Sequence, residues 1–566
     1  MWRGLLSLGG VLRPPQVRRA SASRYLSSAA TVEQWGEILR QVMAAQPKST
    51  PGSPRISVIT PAWNTQVAWF AQAAISLLEQ SCAEWEWCVV DDASTRTDFH
   101  ALLAVLESTG RVKFRKLLRN SGISTASNEG LAMASAEYAC LLDHDDLLAP
   151  DALAKCLQAL DSGLDAVYTD EDKVDEDGIR NQPFYKPDWS PEYFRGVMYV
   201  GHLLCVRRET ALDIGGFDAR FDGVQDFEFL LRYSERSSRI GHLAEILYHW
   251  RAVPGSIAAS QDAKGDVGEL QKRAVTEHLR RLNIAAVVEP GPATHTLQIL
   301  PVSPDFEPRV SIVIAVDAPD RFDKCLASIA AKSAYENFEI VCVGKDGGGA
   351  CAERHTKTRT LKSVLLPGRF DLPRAANFGA EHATGDFLMF MSPALEVITE
   401  NWIDCMLFYA RQKDVGAVGG LVAYPDGALE HAGIVLGCRG TAGRLLHKAP
   451  ADSTGYFGVI CCAREVSAVA SGCMMIRREM FSEAGKFAED YSSAYHDVDL
   501  CLKLRSLGLR NIYTPRARFL YGGQQWRDRH SRDGSLFLKR WGKTAALSDS
   551  YYNRNLNLDR CDYTFE

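Results

Sequence analysis

Asp143-His144-Asp145-Asp146 sets three carboxylates within four residues. Such groups repel one another unless a cation sits among them or water screens them fully. Oxygen ligands of this kind suit a hard divalent ion, Mg2+ or Mn2+, completed by water and substrate phosphates. The competing role is an acidic turn whose Asp146 or Asp151 caps the next helix. A second acidic pair, Asp91-Asp92, favours metal binding, because it too follows a short apolar run.

Those runs are the elements that must position the acids. Ile56 to Thr60, Trp87 to Val90, Val112 to Arg115 and Tyr138 to Leu142 read as strands, with helices over Val67 to Glu79 and Ser124 to Ala134. Strand and helix in alternation predict an α/β domain on a mostly parallel sheet. Ligands of such sheets gather beyond the carboxyl ends of the strands, where both acidic groups fall.

The chain also repeats itself. Pro54 to Thr60 recurs as Pro308 to Ile314, Trp85 to Val90 as Phe338 to Val343, and Ala126 to Gly130 as Ala375 to Gly379. Gln225 to Phe229 recurs as His496 to Leu500, and Ile246 to Trp250 as Phe519 to Gly523. Five blocks in one order indicate two tandem domains rather than a solenoid. The expected division is an extension over 1–54, a first domain over 55–289, a proline-punctuated linker over 290–308, a second domain over 309–545 and a tail over 546–566.

Hydrophobic residues make up 46% of the 566, enough for a sizeable core, and the net charge of -6 gives no basic field for nucleic acid. No apolar run is long enough to span a bilayer, so membrane contact would be peripheral. The 15 cysteines show no zinc spacing and read as reduced, buried small hydrophobes of a cytosolic protein. Residues 1–31 hold Arg3, Arg13, Arg18, Arg19 and Arg24 and no acid, the composition of an organellar transit peptide. A frayed bacterial terminus or a start placed too early accounts for the same feature and is preferred. A short helix around Val32 to Met43 is expected within the extension.

The first copy resembles the family 2 glycosyltransferases of the GT-A fold, in particular bacterial cell-surface polysaccharide enzymes. The likeness is carried by Thr60-Pro61-Ala62-Trp63-Asn64, Val89 to Ser94, Asn120 to Ser124, Leu141 to Asp146, Tyr168 to Lys173, Phe184 to Ser190, Gln225 to Phe229 and Tyr248 to Arg251. The resemblance implies a nucleotide-sugar donor, a glycan or lipid-linked acceptor, and a site at the cytoplasmic face of the inner membrane. It implies that Thr60, Pro61 and Asn64 meet the nucleotide and that Asp92 meets its base or ribose. Asp143 and Asp145 would form the DxD element, Asp145 closest to the Mn2+ or Mg2+ ion and Asp143 nearer the ribose. Asp226 would be the catalytic base, Glu228 its support, and His249 a third metal ligand or diphosphate contact. The acids from Asp170 to Asp177 would be either a solvated hairpin edge or an acceptor-side loop.

The second copy resembles the same family but departs from it where metal should bind. At the offset that pairs Asn128 with Asn377, Ser392-Pro393-Ala394-Leu395 stands in place of the DxD stretch, while Asp497 and Asp499 survive. This domain is expected to be idle, serving acceptor binding or stability; metal-independent transfer supported by Lys345, Arg369 or Arg374 is the alternative. For the whole chain the alternatives are a non-catalytic glycan- or nucleotide-binding scaffold, which the intact acids oppose, and a nucleotidyltransferase, which the glycine-free segment after the first strand opposes.

Overall fold

The structure, a computed structural model, describes residues 30–45, 53–96, 98–252, 267–302, 307–316, 319–345, 361–523, 532–545 and 549–565. The suggested targeting segment therefore lies outside the described residues, apart from Ala30 and Thr31. The chain divides into two compact units: residues up to 189 with 198–284, and residues 190–197 with 285 onward.

In the first unit the chain runs α1 (Val32–Ala45), β1 (Ile56–Ala62), α2 (Val67–Leu78), β2 (Trp85–Asp91), α3 (His100–Glu107), β3 (Val112–Lys116), α4 (Ile123–Met133), β4 (Tyr138–Leu141) and β5 (Leu147–Leu148). It continues through α5 (Ala152–Asp161), β6 (Ala166–Val174), β7 (Arg180–Phe184), then α6 (Pro191–Gly196), which falls in the second unit, and back in the first through β8 (Leu204–Arg207), α7 (Arg208–Asp213), α8 (Gln225–Arg236), β9 (Ile240–Arg251) and α9 (Val267–Arg281). The sheet order is β3-β2-β1-β4-β8-β6-β9-β5, with β7 beside β6. Strands β1 to β4 are parallel, β8 runs against β4 and β6, and β6 and β9 are parallel. Every residue of β1 is buried, as a parallel strand covered on both faces must be. On one face Phe70 of α2 stacks on Trp87 of β2 at 5.2 Å.

Helix α1 belongs to this core: Trp35, Leu39 and Val42, one helical face, are buried in it. The expected helix is present, and it packs as part of the fold rather than standing apart in an extension.

The second unit holds β10 (Ala286–Pro290), β11 (Leu297–Pro301), β12 (Val310–Ala315), β13 (Phe338–Gly344), β14 (Leu361–Leu365), β15 (Phe387–Met391), β16 (Leu395–Val397), β17 (Val415–Ala423) and β18 (Leu429–His431). After these come β19 (Ile434–Leu436), β20 (Ala442–Arg444), β21 (Arg464–Val466), β22 (Cys473–Arg477) and β23 (Arg510–Tyr521). Its main sheet, β14-β13-β12-β15-β22-β17-β23-β16, reproduces the first strand for strand.

The duplication extends to single hydrogen bonds. Asn128 donates to the Phe217 carbonyl and accepts the Phe217 N–H; Asn377 does the same with Phe487. The Ser57 hydroxyl donates to Glu86 at 2.6 Å, and Ser311 to Glu339 at 2.6 Å.

Three boundaries differ from expectation. The expected linker is partly an antiparallel hairpin, β10 against β11. Helix α6 lies in sequence within the first repeat yet belongs to the second unit. The expected tail is seated, with Tyr552, Leu556, Cys561 and Tyr563 buried. Cys561 forms a disulfide with Cys438, 123 residues away. That corrects the expectation of free thiols throughout, for the spacing of two distant cysteines carries no trace of their proximity. The other described cysteines are free, and all are buried except the half-buried Cys82 and Cys461. No described helix is long and apolar enough to cross a membrane.

Candidate active site

Beyond the end of β4 the chain turns through Asp143 to Asp146 and is fastened from β9. The Arg251 N–H donates to Asp146 at 2.7 Å, its Nε donates to the Asp145 carbonyl at 2.5 Å, and its other end reaches Gln72. Tyr248 donates its hydroxyl to Asp146 at 2.6 Å and accepts the Asp143 N–H. Burial, reinforced by the charges of Asp145 and Asp143, pushes the Asp146 carboxyl well above its ordinary range, against which the Arg251 and Tyr248 hydrogen bonds work.

The ligating atoms of Asp143, Asp146 and His202 all lie within 4.8 Å of one another, and no other group of this kind occurs among the described residues. Two carboxylates and an imidazole, with a third acid adjacent in sequence, form a donor set that fits a divalent ion. Asp145, expected closest to the metal, is outside this trio, with its side chain about one-fifth exposed at 22%.

His249, expected as a third metal ligand or diphosphate contact, is also outside this trio. Its Nδ1 pairs with Asp172 at 2.6 Å. Alternate side chains of a strand face opposite sides, so Tyr248 and Trp250 turn toward His202 while His249 turns away. The His202 ring stacks on Tyr248 at 4.7 Å. His202 sits 56 residues beyond Asp146 in no recognisable motif, and only the meeting of β8, β9 and the acidic turn brings it in.

Asp226 opens α8, half-buried, and accepts the N–H of Phe227 at 2.8 Å. Burial raises its carboxyl above the ordinary range, the nearby His202 lowers it, and Asp143 raises it again. The expected base therefore shares the electrostatic surroundings of the acidic cluster. Glu228 is instead locked to Arg232, with both oxygens bonded at 2.6 Å.

The residues expected to meet the nucleotide shape the neighbouring loops. The Thr60 hydroxyl donates to the Leu142 carbonyl and accepts from Trp87, each at 2.8 Å, tying β1 to the end of β4. Pro61 is a buried residue of β1. Asn64 accepts from the Thr95 and Arg96 N–H groups, and Asp92 accepts those of Ser121 and Gly122. Their side chains order the rim of the site.

The acids Asp170, Glu171 and Asp172 are buried, so they are no solvated edge; only the turn at Glu176 and Asp177 is exposed. Each has a cationic or imidazole partner: His242 for Asp170, Lys186 for Glu171, and Arg180 with His249 for Asp172.

In the second unit, strand registers place Val422 where the first has Glu171, and Phe519 where it has Tyr248. That shifts by two residues the match read from the Ile246 block. Asp497 keeps the position of Asp226 and accepts the N–H groups of Ser471 and Val498.

Two mostly parallel sheets of matching strand order define a tandem GT-A architecture, with an acidic cluster beyond the strand ends of the first. The chain belongs to glycosyl transferase family 2, whose profile matches residues 57–211 and 311–485. It is 34% identical over 529 residues to the O-antigen biosynthesis protein RfbC of Myxococcus xanthus, covering 90% of this chain and 41% of that one. It is also 34% identical to the protein y4gI of Sinorhizobium fredii, covering 96% of this chain and 62% of the relative. The chain thus spans less than two thirds of either relative. Among solved structures, S. aureus TarS 1-349 in complex with UDP-GlcNAc matches with a TM-score of 0.34 and 22% identity, over 40% of this chain and 66% of that one.

Proposed function

We propose that the first unit transfers a sugar, with inversion, from a nucleotide-sugar donor to a glycan or lipid-linked acceptor in the assembly of a surface polysaccharide, at the cytoplasmic membrane face. The observation that carries this reading is the gathering of Asp143, Asp146 and His202 around the surroundings of Asp226. Asp143, Asp146 and His202 would hold Mn2+ or Mg2+, with Asp145 alongside. The bound ion supplies Lewis-acid neutralisation of a diphosphate, worth several kcal/mol.

Asp226 takes the proton of the acceptor hydroxyl while that oxygen bonds to the anomeric carbon and the bond to the diphosphate oxygen breaks. Its raised pKa suits a base that must take up a proton and release it. Thr60, Asn64 and Asp92 keep the nucleotide rim in shape, and the second unit takes no part in the chemistry. The O-antigen relative supports the surface-polysaccharide context.

A panel of labelled nucleotide sugars with Mn2+, Mg2+ or EDTA tests the proposal. Transfer should need the metal, survive Asp497→Asn and fall by roughly 10²–10⁴-fold in Asp226→Asn. Turnover unaffected by EDTA would overturn the metal's role, and binding without turnover of any donor would favour a scaffold.

A further inference from the structure

We infer that Lys186 and Glu171 are positioning residues that fix His202 beside Asp143 and Asp146, an inference that rests on the metal site proposed above. The Lys186 ammonium is wholly enclosed and pairs with Glu171 at 3.0 Å. It also donates to the carbonyls of Thr169, Val200 and His202. The same Glu171 oxygen accepts the His202 N–H at 2.7 Å. The segment from Val200 to His202 is therefore wrapped around one ion pair, carbonyls to the cation and N–H to the anion.

Gly201 makes the wrap possible. A Cβ there would lie 2.7 Å from the Glu171 carboxylate, and its φ of +51 disfavours other residues. Its neighbour His202 then lies against Tyr248, whose hydroxyl holds Asp146.

The second repeat supplies an internal control. The same strand position there is Val422, and the sheet still forms with the same strand order. A buried ion pair is a weak source of stability compared with well-packed apolar residues. The fold does not require this pair, yet it stands in the repeat that keeps its acids and is missing, with Tyr248, from the repeat that has lost them.

The test uses the full chain and removes both charges together, as Glu171→Val with Lys186→Met, so that neither is left alone. Free Mn2+, read by its electron paramagnetic resonance signal, measures affinity, and amide exchange over residues 198–204 is followed in the metal-free protein. The expected result is a roughly 10- to 100-fold loss of Mn2+ affinity and faster exchange over 198–204, where the double variant leaves the Val200 and His202 backbone groups without their partners. Wild-type affinity in the double variant, or unchanged exchange, overturns the inference. If the wild type itself takes up no Mn2+, the proposed metal site fails, and the exchange comparison still decides whether the pair holds the segment. Should the double variant not fold, Glu171→Gln makes the same comparison, with a smaller loss expected.

Discussion

Asp226 is held in a state that folding alone would not choose. Its carboxyl is raised above the ordinary range chiefly by burial, so the ionised form costs stability at any pH above the unfolded value. That cost disappears as pH falls through the folded value. Asp226→Asn should lower transfer by roughly 10²–10⁴-fold and yet melt above the wild type at neutral pH. The difference should narrow on acidification in paired melting curves. His242 shows the opposite sign. Burial works against its charge, but Asp170 at 2.9 Å and Asp188 at 3.2 Å outweigh it and raise its pKa above 6.5. Its contribution is fully present below about 6.5 and is lost as pH rises through the folded value. Melting curves of His242→Gln should therefore lie below wild type in acid and converge with it in base.

Among the elements, α4 is seated on β1 and β2 through a single missing side chain. A Cβ on Gly130 would lie 2.5 Å from the Ile59 side chain, and one on Gly379 would lie 2.4 Å from Val313 in the second unit. Close approach of helix to sheet explains why the repeated block ends in glycine in both copies. Gly130→Ala should destabilise the protein by about 1–3 kcal/mol through overpacking, measured by chemical denaturation. The same block keeps Asn128 and Asn377 because each amide clamps a distant backbone in both directions. The acidic turn depends equally on an element, since β9 supplies both Tyr248 and Arg251 to hold it.

At the scale of the whole molecule, the repeats are not separable at the expected linker. Helix α6 is seated in the second unit, where Glu192 meets Arg510 at 3.5 Å and the Tyr193 hydroxyl donates to the Phe457 carbonyl at 2.7 Å. Tyr193 and Phe194 are buried there. A chain ending at 289 would lose that seat and expose both rings. Limited proteolysis should cut such a fragment within 190–197 while leaving the full chain intact at that position. Equal resistance in both would show that α6 needs no support from the second repeat.

Tandem α/β architecture and the acids of the first copy were legible in the residues themselves. Buried parallel strands write continuous apolar runs, and a duplicated domain repeats them in order. The loss of the acids in the second copy was legible in the same way. His202, Lys186 and the placing of α6 were not, because each depends on contacts between segments far apart in the chain. The place of His249 outside the trio was hidden for a related reason: one step along a strand reverses the face, and composition does not say which face meets the acids. Local pattern settles what an element is, and only packing decides which of its sides meets the chemistry.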